Sequence, residues 1–175
     1  MDFHFTEEQK MVQKMARDFA EKELKPQAAE VDATRQLPLS VLKAMAELGM
    51  MGVNIPAEYN GSQTGVVSYS LAMTEIAKAC ASTAVTMSVT NMVAEVIHAF
   101  GTEEHRRNYI PKICSGEYPS GAFALTESTA GSDPASMKST ADLAGDYYVL
   151  NGSKTFITSG DFAGVFVVWA KTDRD

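Results

Sequence analysis

The sequence predicts an α+β fold, with an N-terminal all-α helical domain followed by an incomplete antiparallel β-barrel-like domain. Hydrophobic residues recur at helical spacing, between helix-capping residues, up to about residue 118. Beyond Tyr118 and Pro119 the pattern changes to short runs rich in β-branched and aromatic residues, separated by turn residues. We therefore assign residues 1–118 to a helical domain and residues 119–175 to part of a β domain.

The first two helices are predicted from the residues at their ends. Thr6 and Gln9 have the spacing of a capping box, in which side chain and main chain satisfy each other at a helix start. Pro26 is expected to end the first part of this helix, because proline lacks the N–H that a helix interior needs. A second helix is predicted over about residues 38–48, with Gly49 as its stop.

Three further helices complete the predicted helical domain. Apolar residues keep the helical period through Ala79, which defines the third helix. The fourth covers about residues 82–100 and is closed by Gly101. Thr102 caps the fifth, which ends near Gly116. Five helices in succession describe an α domain.

Four short runs predict the strands of the β domain: GAFAL, YYVL, KTFIT and VFVVWA. Asn151 and Gly152 lie between the second and third runs, and both tolerate the positive φ of a type I′ hairpin turn. The third run would place Phe156 and Thr158 on one strand face, because their spacing is two. Four strands would leave long unpaired edges, so we expect the chain to be a fragment.

Composition and charge exclude several classes of protein. The net charge of −7 over 175 residues argues against nucleic-acid binding, which needs clustered Lys and Arg. No apolar run reaches membrane-spanning length, and residues 1–10 lack the apolar stretch of a secretory signal. Cys80 and Cys114 lie far apart, which favours reduced thiols and a cytoplasmic protein.

Residues for metal binding or hydrolysis do not cluster in the sequence. His4, His98 and His105 are widely separated and predict no metal site. The sequence has no Gly-x-Ser-x-Gly motif and no glycine-rich loop of the P-loop or Rossmann type.

The loop after the first predicted strand carries hydrogen-bonding groups that suit a ligand. Thr126 and the pair Gly131 and Ser132 present a hydroxyl and main-chain N–H groups beside the sheet. Such donors bind phosphate or carbonyl oxygens. The alternative is a polar loop between strands, in which Asp133 and Ser136 satisfy nearby main-chain groups.

Phe156 and Thr158 form a second candidate feature. A flat ring beside a hydroxyl could hold a planar heteroaromatic cofactor. The alternative is a half-buried strand with one core phenylalanine.

Together these features resemble a known family. The runs GAFALTESTAGSD, YYVLNGSKTFITSG and VFVVWAKTD follow, in this order, a helical domain that ends in YIPKICSGE. In order and spacing they resemble the flavin-dependent acyl-CoA dehydrogenases over residues 3 to 173. The resemblance implies FAD as cofactor. The implied FAD contacts are Phe123, Leu125, Thr126, Gly131, Ser132, Phe156, Ile157 and Thr158.

The resemblance also implies roles for these residues. The Leu125 main chain and the Thr126 hydroxyl would lie near the pyrimidine edge of the flavin, and Gly131 and Ser132 near the pyrophosphate. Phe156 would pack on the ring system, and the Thr158 hydroxyl would bond flavin N5. The implied substrate contacts are Ser132, at the thioester-CoA arm, and Met87 and Thr90, in the acyl-tail pocket. Met87 can equally be plain core.

The implied reaction is the dehydrogenation of an acyl-CoA thioester to the trans-2-enoyl-CoA. Electrons would pass to an electron-transfer flavoprotein, and the enzyme would be a cytoplasmic homotetramer. The family's catalytic glutamate belongs to a later helical bundle, so we assign no catalytic residue in this chain and expect the isolated chain to be inactive. The acyl chain length stays open.

Three residues bear on how far the resemblance extends. Ser128 stands where the family has a proline, which loosens the loop. Glu127 is expected to be a structural hydrogen-bond acceptor, and Glu95 a solvated or paired side chain rather than a base.

The alternative function is a non-catalytic module, either a helical interaction domain or an acyl-CoA-binding scaffold.

Overall fold

The computed structural model of the protein describes residues 4–173. Residues 1–3 and 174–175 lie outside the described residues, and with them the outer ends of both predicted domains and the first residue of the family resemblance. The described chain begins with helices and ends with two small sheets.

The first part of the described chain is helical, as predicted. The α-helices are α1 Glu7–Phe19, α2 Ala28–Thr34, α3 Leu39–Glu47, α4 Gly65–Ala79, α5 Ala81–Phe100 and α6 Glu103–Cys114. Short 3₁₀ turns cover Lys25–Gln27, Ala57–Tyr59 and Pro134–Ser136. Within residues 4–173, none of the helices has both the length and the apolar character needed to span a membrane.

The predicted capping residues fix two helix starts. The Thr6 hydroxyl accepts the N–H of Gln9, and the Gln9 side chain accepts the N–H of Thr6. Thr102 makes the same reciprocal pair with His105 at the start of α6. Both helices therefore begin where local hydrogen bonds satisfy their first main-chain donors.

Pro26 marks a change of helix type rather than the end of the helical segment. A π-helical turn covers Ala20–Leu24, and a 3₁₀ turn that contains Pro26 follows it. These turns accommodate a residue that lacks a main-chain N–H and crowds the preceding turn. The helical chain then continues as α2 until Arg35, which has a φ of 57°.

The strands form two separate pairs. β1 Gly121–Ala124 pairs with β4 Val165–Val168, and β2 Thr140–Ala144 pairs with β3 Tyr147–Asn151. The β2–β3 pair is antiparallel, as expected, but the β1–β4 pair is parallel. A long connection returns the chain so that β4 runs in the direction of β1. The predicted order of a helical domain followed by a partial sheet region is confirmed.

The predicted hairpin turn at Asn151 and Gly152 is wrong. The turn of the β2–β3 hairpin lies at Gly145 and Asp146, and Gly145 has the positive φ, 64°, that hairpin turns of the primed types require. Gly152 instead permits a close approach, since a Cβ there would come within 2.2 Å of the Ser139 Oγ.

The run KTFIT is not a strand, so the prediction of one shared strand face for Phe156 and Thr158 is also wrong. Residues 152–164 form a loop with turns, and Phe156 and Ser159 have φ values of 56° and 62°. A positive φ reverses the extended path of the backbone, so side chains no longer alternate across a sheet.

The core consists of two buried clusters that share helix α5. Met45 and Met87 belong to the cluster between α1, α3, α4 and α5. Val93 and Ile110 belong to the cluster between α5, α6 and the sheet. Burying one such side chain contributes about 1.5–3 kcal/mol to stability. The long helix α5 therefore connects the helical layer to the strands.

Strand β1 packs directly on α5. A Cβ at Gly121 would come within 2.7 Å of the Val93 side chain, so only glycine allows this approach. Beside it, the buried hydroxyls of Ser120 and Thr90 lie 2.9 Å apart. The contact fixes the strand from which the candidate loop emerges.

Candidate functional site

The candidate site begins at the end of β1. The Ala124 carbonyl accepts the N–H of Trp169, just beyond β4, at 3.1 Å. The rings of Phe123 and Trp169 lie with centroids 5.9 Å apart. Leu125 and Thr126 follow as half-buried residues that leave the sheet. The start of the loop is therefore held by the sheet itself.

The residues after Thr126 form a tight turn. The main chains of Glu127 and Ala130 exchange two hydrogen bonds, of 3.0 and 3.1 Å, across Ser128 and Thr129. The turn closes in this way although serine replaces the family's proline at position 128.

Gly131 and Ser132 lie on the surface beyond this turn. Both are exposed, and a Cβ at Gly131 would meet no atom within 4 Å. The next residues satisfy each other locally, because Ser136 donates from its N–H and its hydroxyl to the Asp133 carbonyl. Asp133 and Ser136 therefore form hydrogen bonds with each other, as expected for a polar loop between strands.

Glu127 is a buried hydrogen-bond acceptor, as expected. Its carboxylate is 6% exposed and accepts the N–H groups of Lys138 at 2.7 Å and Ser139 at 2.9 Å. It also accepts from Lys154 Nζ at 2.8 Å. The hydrogen bond from Lys154, with those from Ser139 and Lys138, holds the Glu127 pKa well below its usual range. This carboxylate therefore stays charged and bound to its three donors.

Lys154 is the site residue that sequence reasoning missed. Its side chain is 11% exposed, and besides Glu127 it donates to the Leu125 carbonyl at 3.0 Å. A single lysine within a run of apolar and hydroxyl residues was the available signal. Its partners lie 27 and 29 residues away, a distance that sequence periodicity does not bridge.

The structure brings the two predicted features together. The Thr155 N–H donates to the Thr126 carbonyl at 2.9 Å, so the segment that leads to Phe156 runs beside the loop after β1. Ile157 and Thr158 are half-buried. Thr126 and the segment Phe156 to Thr158 thus belong to one region of the structure.

Phe156 is held away from the core. Its side chain is 92% exposed, and its φ is 56°. A bulky residue rarely adopts a positive φ, and strain of this kind is common where a ligand is bound. The Ser159 Oγ, three residues further along the chain, is buried and has no hydrogen-bond partner among the described residues. An uncovered flat ring on a segment that also carries the Thr158 hydroxyl fits an aromatic ligand such as a flavin.

Met87 and Thr90, predicted to line an acyl pocket, lie inside the helical domain. Both are fully buried. The Thr90 hydroxyl donates to the Thr86 carbonyl at 2.7 Å and lies 2.9 Å from the Ser120 hydroxyl. Their role toward a substrate stays a prediction.

Glu95 and the possible metal ligands are the remaining candidate groups. Glu95 is exposed and accepts from the Asn54 amide at 2.8 Å, as expected for a paired acid. Within residues 4–173, no group of three or more His, Cys, Asp or Glu side chains is arranged to hold a metal ion.

The fold and the site define a helical domain followed by two small sheets, with one loop after β1 and one between β3 and β4 that are hydrogen-bonded to each other. Residues 6–117 match the family model described as acyl-CoA dehydrogenase, N-terminal domain, and residues 122–175 match the one described as acyl-CoA dehydrogenase, middle domain. The chain therefore belongs to the acyl-CoA dehydrogenase family.

Known proteins are similar over almost the whole chain. It is 45% identical to a short-chain specific acyl-CoA dehydrogenase of Clostridium acetobutylicum, over 99% of this chain and 46% of that protein. A chain from a structure of the electron transferring flavoprotein of Acidaminococcus fermentans has a TM-score of 0.95 and 43% identity, over 99% of this chain and 46% of that one. Glutaryl-CoA dehydrogenase of Mycobacterium smegmatis in complex with FADH2 has a TM-score of 0.93 and 31% identity, over 97% and 44%. The chain spans slightly less than half of each relative.

Proposed function

We propose that this chain is the FAD-binding part of an acyl-CoA dehydrogenase, which converts an acyl-CoA thioester to the trans-2-enoyl-CoA. Membership of the family supports this activity, and a relative in complex with FADH2 supports the cofactor. The single observation that carries the flavin site is Phe156, an exposed ring with a positive φ beside the loop after β1.

In this proposal the side chains of the two loops orient the flavin. Phe156 would pack on its ring system and exclude water from one face. The Thr158 hydroxyl would donate to flavin N5, and Leu125 and Thr126 would hold the pyrimidine edge. FAD, when bound, supplies an acceptor for the hydride that leaves the substrate's β-carbon. A hydrogen bond from the Thr158 hydroxyl to N5, the atom that would accept the hydride, would stabilise the charge that develops there.

The remaining predicted contacts stay part of the proposal. Around the cofactor they are Phe123, Ile157, Gly131 and Ser132. For the substrate they are Ser132, Met87 and Thr90. A relative that is specific for short chains supports a short acyl group.

The proposed electron acceptor is an electron-transfer flavoprotein. The similar chain from the structure of the Acidaminococcus fermentans electron transferring flavoprotein supports this partner. We also propose a homotetramer, from family membership alone, and a cytoplasmic location. The location is supported by Cys80 and Cys114, which are buried thiols without a disulfide. A domain division at residue 118 is supported by the change from α6 to β1 in its neighbourhood.

No catalytic base is assigned in this chain. Glu127 is held by three donors, and Glu95 is exposed and bonded to Asn54. The family resemblance places the glutamate that removes the substrate's α-proton in a later helical bundle, so we expect no turnover from the 175 residues alone.

The flavin absorbance of the complete natural protein tests the proposal. We expect a yellow protein whose flavin band bleaches when butyryl-CoA is added without oxygen. A colourless protein that does not take up added FAD would instead support the alternative, a non-catalytic helical interaction or acyl-CoA-binding module.

A further inference from the structure

A buried ion pair joins the loop after β1 to the loop of residues 152–164. Lys154 and Glu127 are 2.8 Å apart, with side chains that are 11% and 6% exposed. Lys154 precedes the segment Phe156 to Thr158, and Glu127 follows Thr126 directly. The pair therefore lies next to the proposed flavin contacts of both loops.

Stability alone does not explain a buried pair of this kind. Removing two charges from water carries a penalty that often exceeds their attraction, and apolar residues of similar volume are frequently as stable. A charged pair does fix geometry, because charge-assisted hydrogen bonds are short and strong. The ion pair therefore contributes by orienting the main chain around it.

Lys154 orients the peptide group that precedes Thr126. Its ammonium donates to the Leu125 carbonyl at 3.0 Å, and the peptide bond from Leu125 to Thr126 is trans. In a trans peptide the N–H points opposite to the C=O, so the Thr126 N–H points away from Lys154. The positive charge also polarises this peptide, which makes its N–H a stronger donor.

The loop of residues 152–164 also binds the carbonyl of Thr126 itself. The Thr126 carbonyl accepts the N–H of Thr155 at 2.9 Å. The carbonyls before and after Thr126 are thus both bound by consecutive residues of one segment. Rotation of either peptide plane would break one of these bonds.

We propose that Lys154 is a positioning residue for the flavin: it fixes the orientation of Thr126 relative to Phe156 and Thr158, and Glu127 holds it in place. This inference rests on the proposed function and deepens it. Lys154 itself acts through the main chain and not on the reacting atoms.

FAD binding to the ligand-free form of the complete protein tests this role. Lys154→Met is expected to raise the FAD dissociation constant about tenfold or more, as loss of a charge-assisted contact would. It is also expected to change the shape of the flavin absorption band at saturating FAD. Lys138→Met is the matched control, because the exposed Lys138 contacts Glu127 only through its main-chain N–H. Its dissociation constant should stay within about twofold of the wild-type value.

A second variant keeps the test decisive if Lys154→Met does not fold. Glu127→Gln removes the charge that holds Lys154 and should raise the dissociation constant about threefold or more. Because Lys138 and Ser139 donate to different oxygens of the Glu127 carboxylate, the amide group also loses one of these two main-chain hydrogen bonds. A purely structural role predicts a lower melting temperature with an unchanged dissociation constant and flavin spectrum, and that result would overturn the proposal. Wild-type protein that binds no FAD would overturn the proposed function, and this inference with it.

Discussion

At the scale of single residues, Phe156 is the side chain that the fold least explains. Its 92% exposure leaves an aromatic ring in water, and its φ of 56° strains the main chain. Neither feature stabilises the ligand-free protein. Both are accounted for if a flat ligand covers the ring.

Glycine at position 156 separates these two effects. Phe156→Gly should leave the ligand-free protein as stable or up to about 1 kcal/mol more stable, because glycine adopts a positive φ freely. The same change should weaken FAD binding about tenfold. Urea unfolding and FAD titration measure the two quantities.

Tyr147→Gly is the control for losing an exposed aromatic residue. Tyr147 is 77% exposed but lies in β3, so glycine there should lower stability by up to about 1 kcal/mol. A clear loss of stability in Phe156→Gly, or an unchanged affinity for FAD, would contradict the role given to this residue.

At the scale of the elements, a buried carboxylate joins α1 to α4. Glu75 is 4% exposed and accepts from Gln13 at 2.9 Å, Arg17 at 3.0 Å and Lys78 at 3.1 Å. The hydrogen bond from Arg17 is the main cause that lowers the Glu75 pKa to about 2. The folded protein therefore binds a proton at this group less readily than the unfolded chain does.

The contribution of Glu75 is expected to depend on pH. It is fully present above the unfolded pKa, near 4.5, and is lost as the pH falls toward the folded value of about 2. Glu75→Gln should lower the free energy of unfolding by about 1–2 kcal/mol at pH 7, since both charged partners are partly exposed. The difference should shrink between pH 4.5 and pH 2 in denaturant titrations.

An exposed pair provides the comparison for Glu75. Glu21 and Lys25 are both well exposed on one helical segment, so Glu21→Gln should change stability by less than about 0.5 kcal/mol. Equal losses for Glu75→Gln and Glu21→Gln would show that burial of the Glu75 carboxylate has no effect.

Sequence reasoning worked for elements whose signals are local. Thr6 and Thr102 mark helix starts because their partners lie three residues away. The strand β2 was not predicted, because its sequence TADLA has few β-branched or aromatic residues. Without β2 as a partner for β3, the sequence favours Asn151 and Gly152 as the hairpin turn. Lys154 escaped because its partners come from another segment of the chain.

At the scale of the whole molecule, the site depends on how the sheet meets the helices. β1 approaches α5 at Gly121, where a Cβ would come within 2.7 Å of Val93. The loop that follows β1 therefore takes its position from α5. The resemblance predicted which loops matter, but periodicity could not predict this contact.

Gly121→Ala tests whether this approach is required. The added methyl must displace Val93, so we expect a loss of about 1–3 kcal/mol in the free energy of unfolding of the ligand-free protein. Gly131→Ala is the matched control, because a Cβ there meets no atom within 4 Å, and its change should stay within about 0.5 kcal/mol. Equal stability of the two variants would contradict the close packing of β1 on α5.

The central claim is that the loop after β1 and the segment Phe156 to Thr158 together hold FAD. A crystal structure of the complete natural protein with FAD tests it most directly. We expect the Phe156 ring to lie against the flavin ring system and the Thr158 hydroxyl to lie about 3 Å from flavin N5. A structure in which both side chains point into solvent, away from the cofactor, would contradict it.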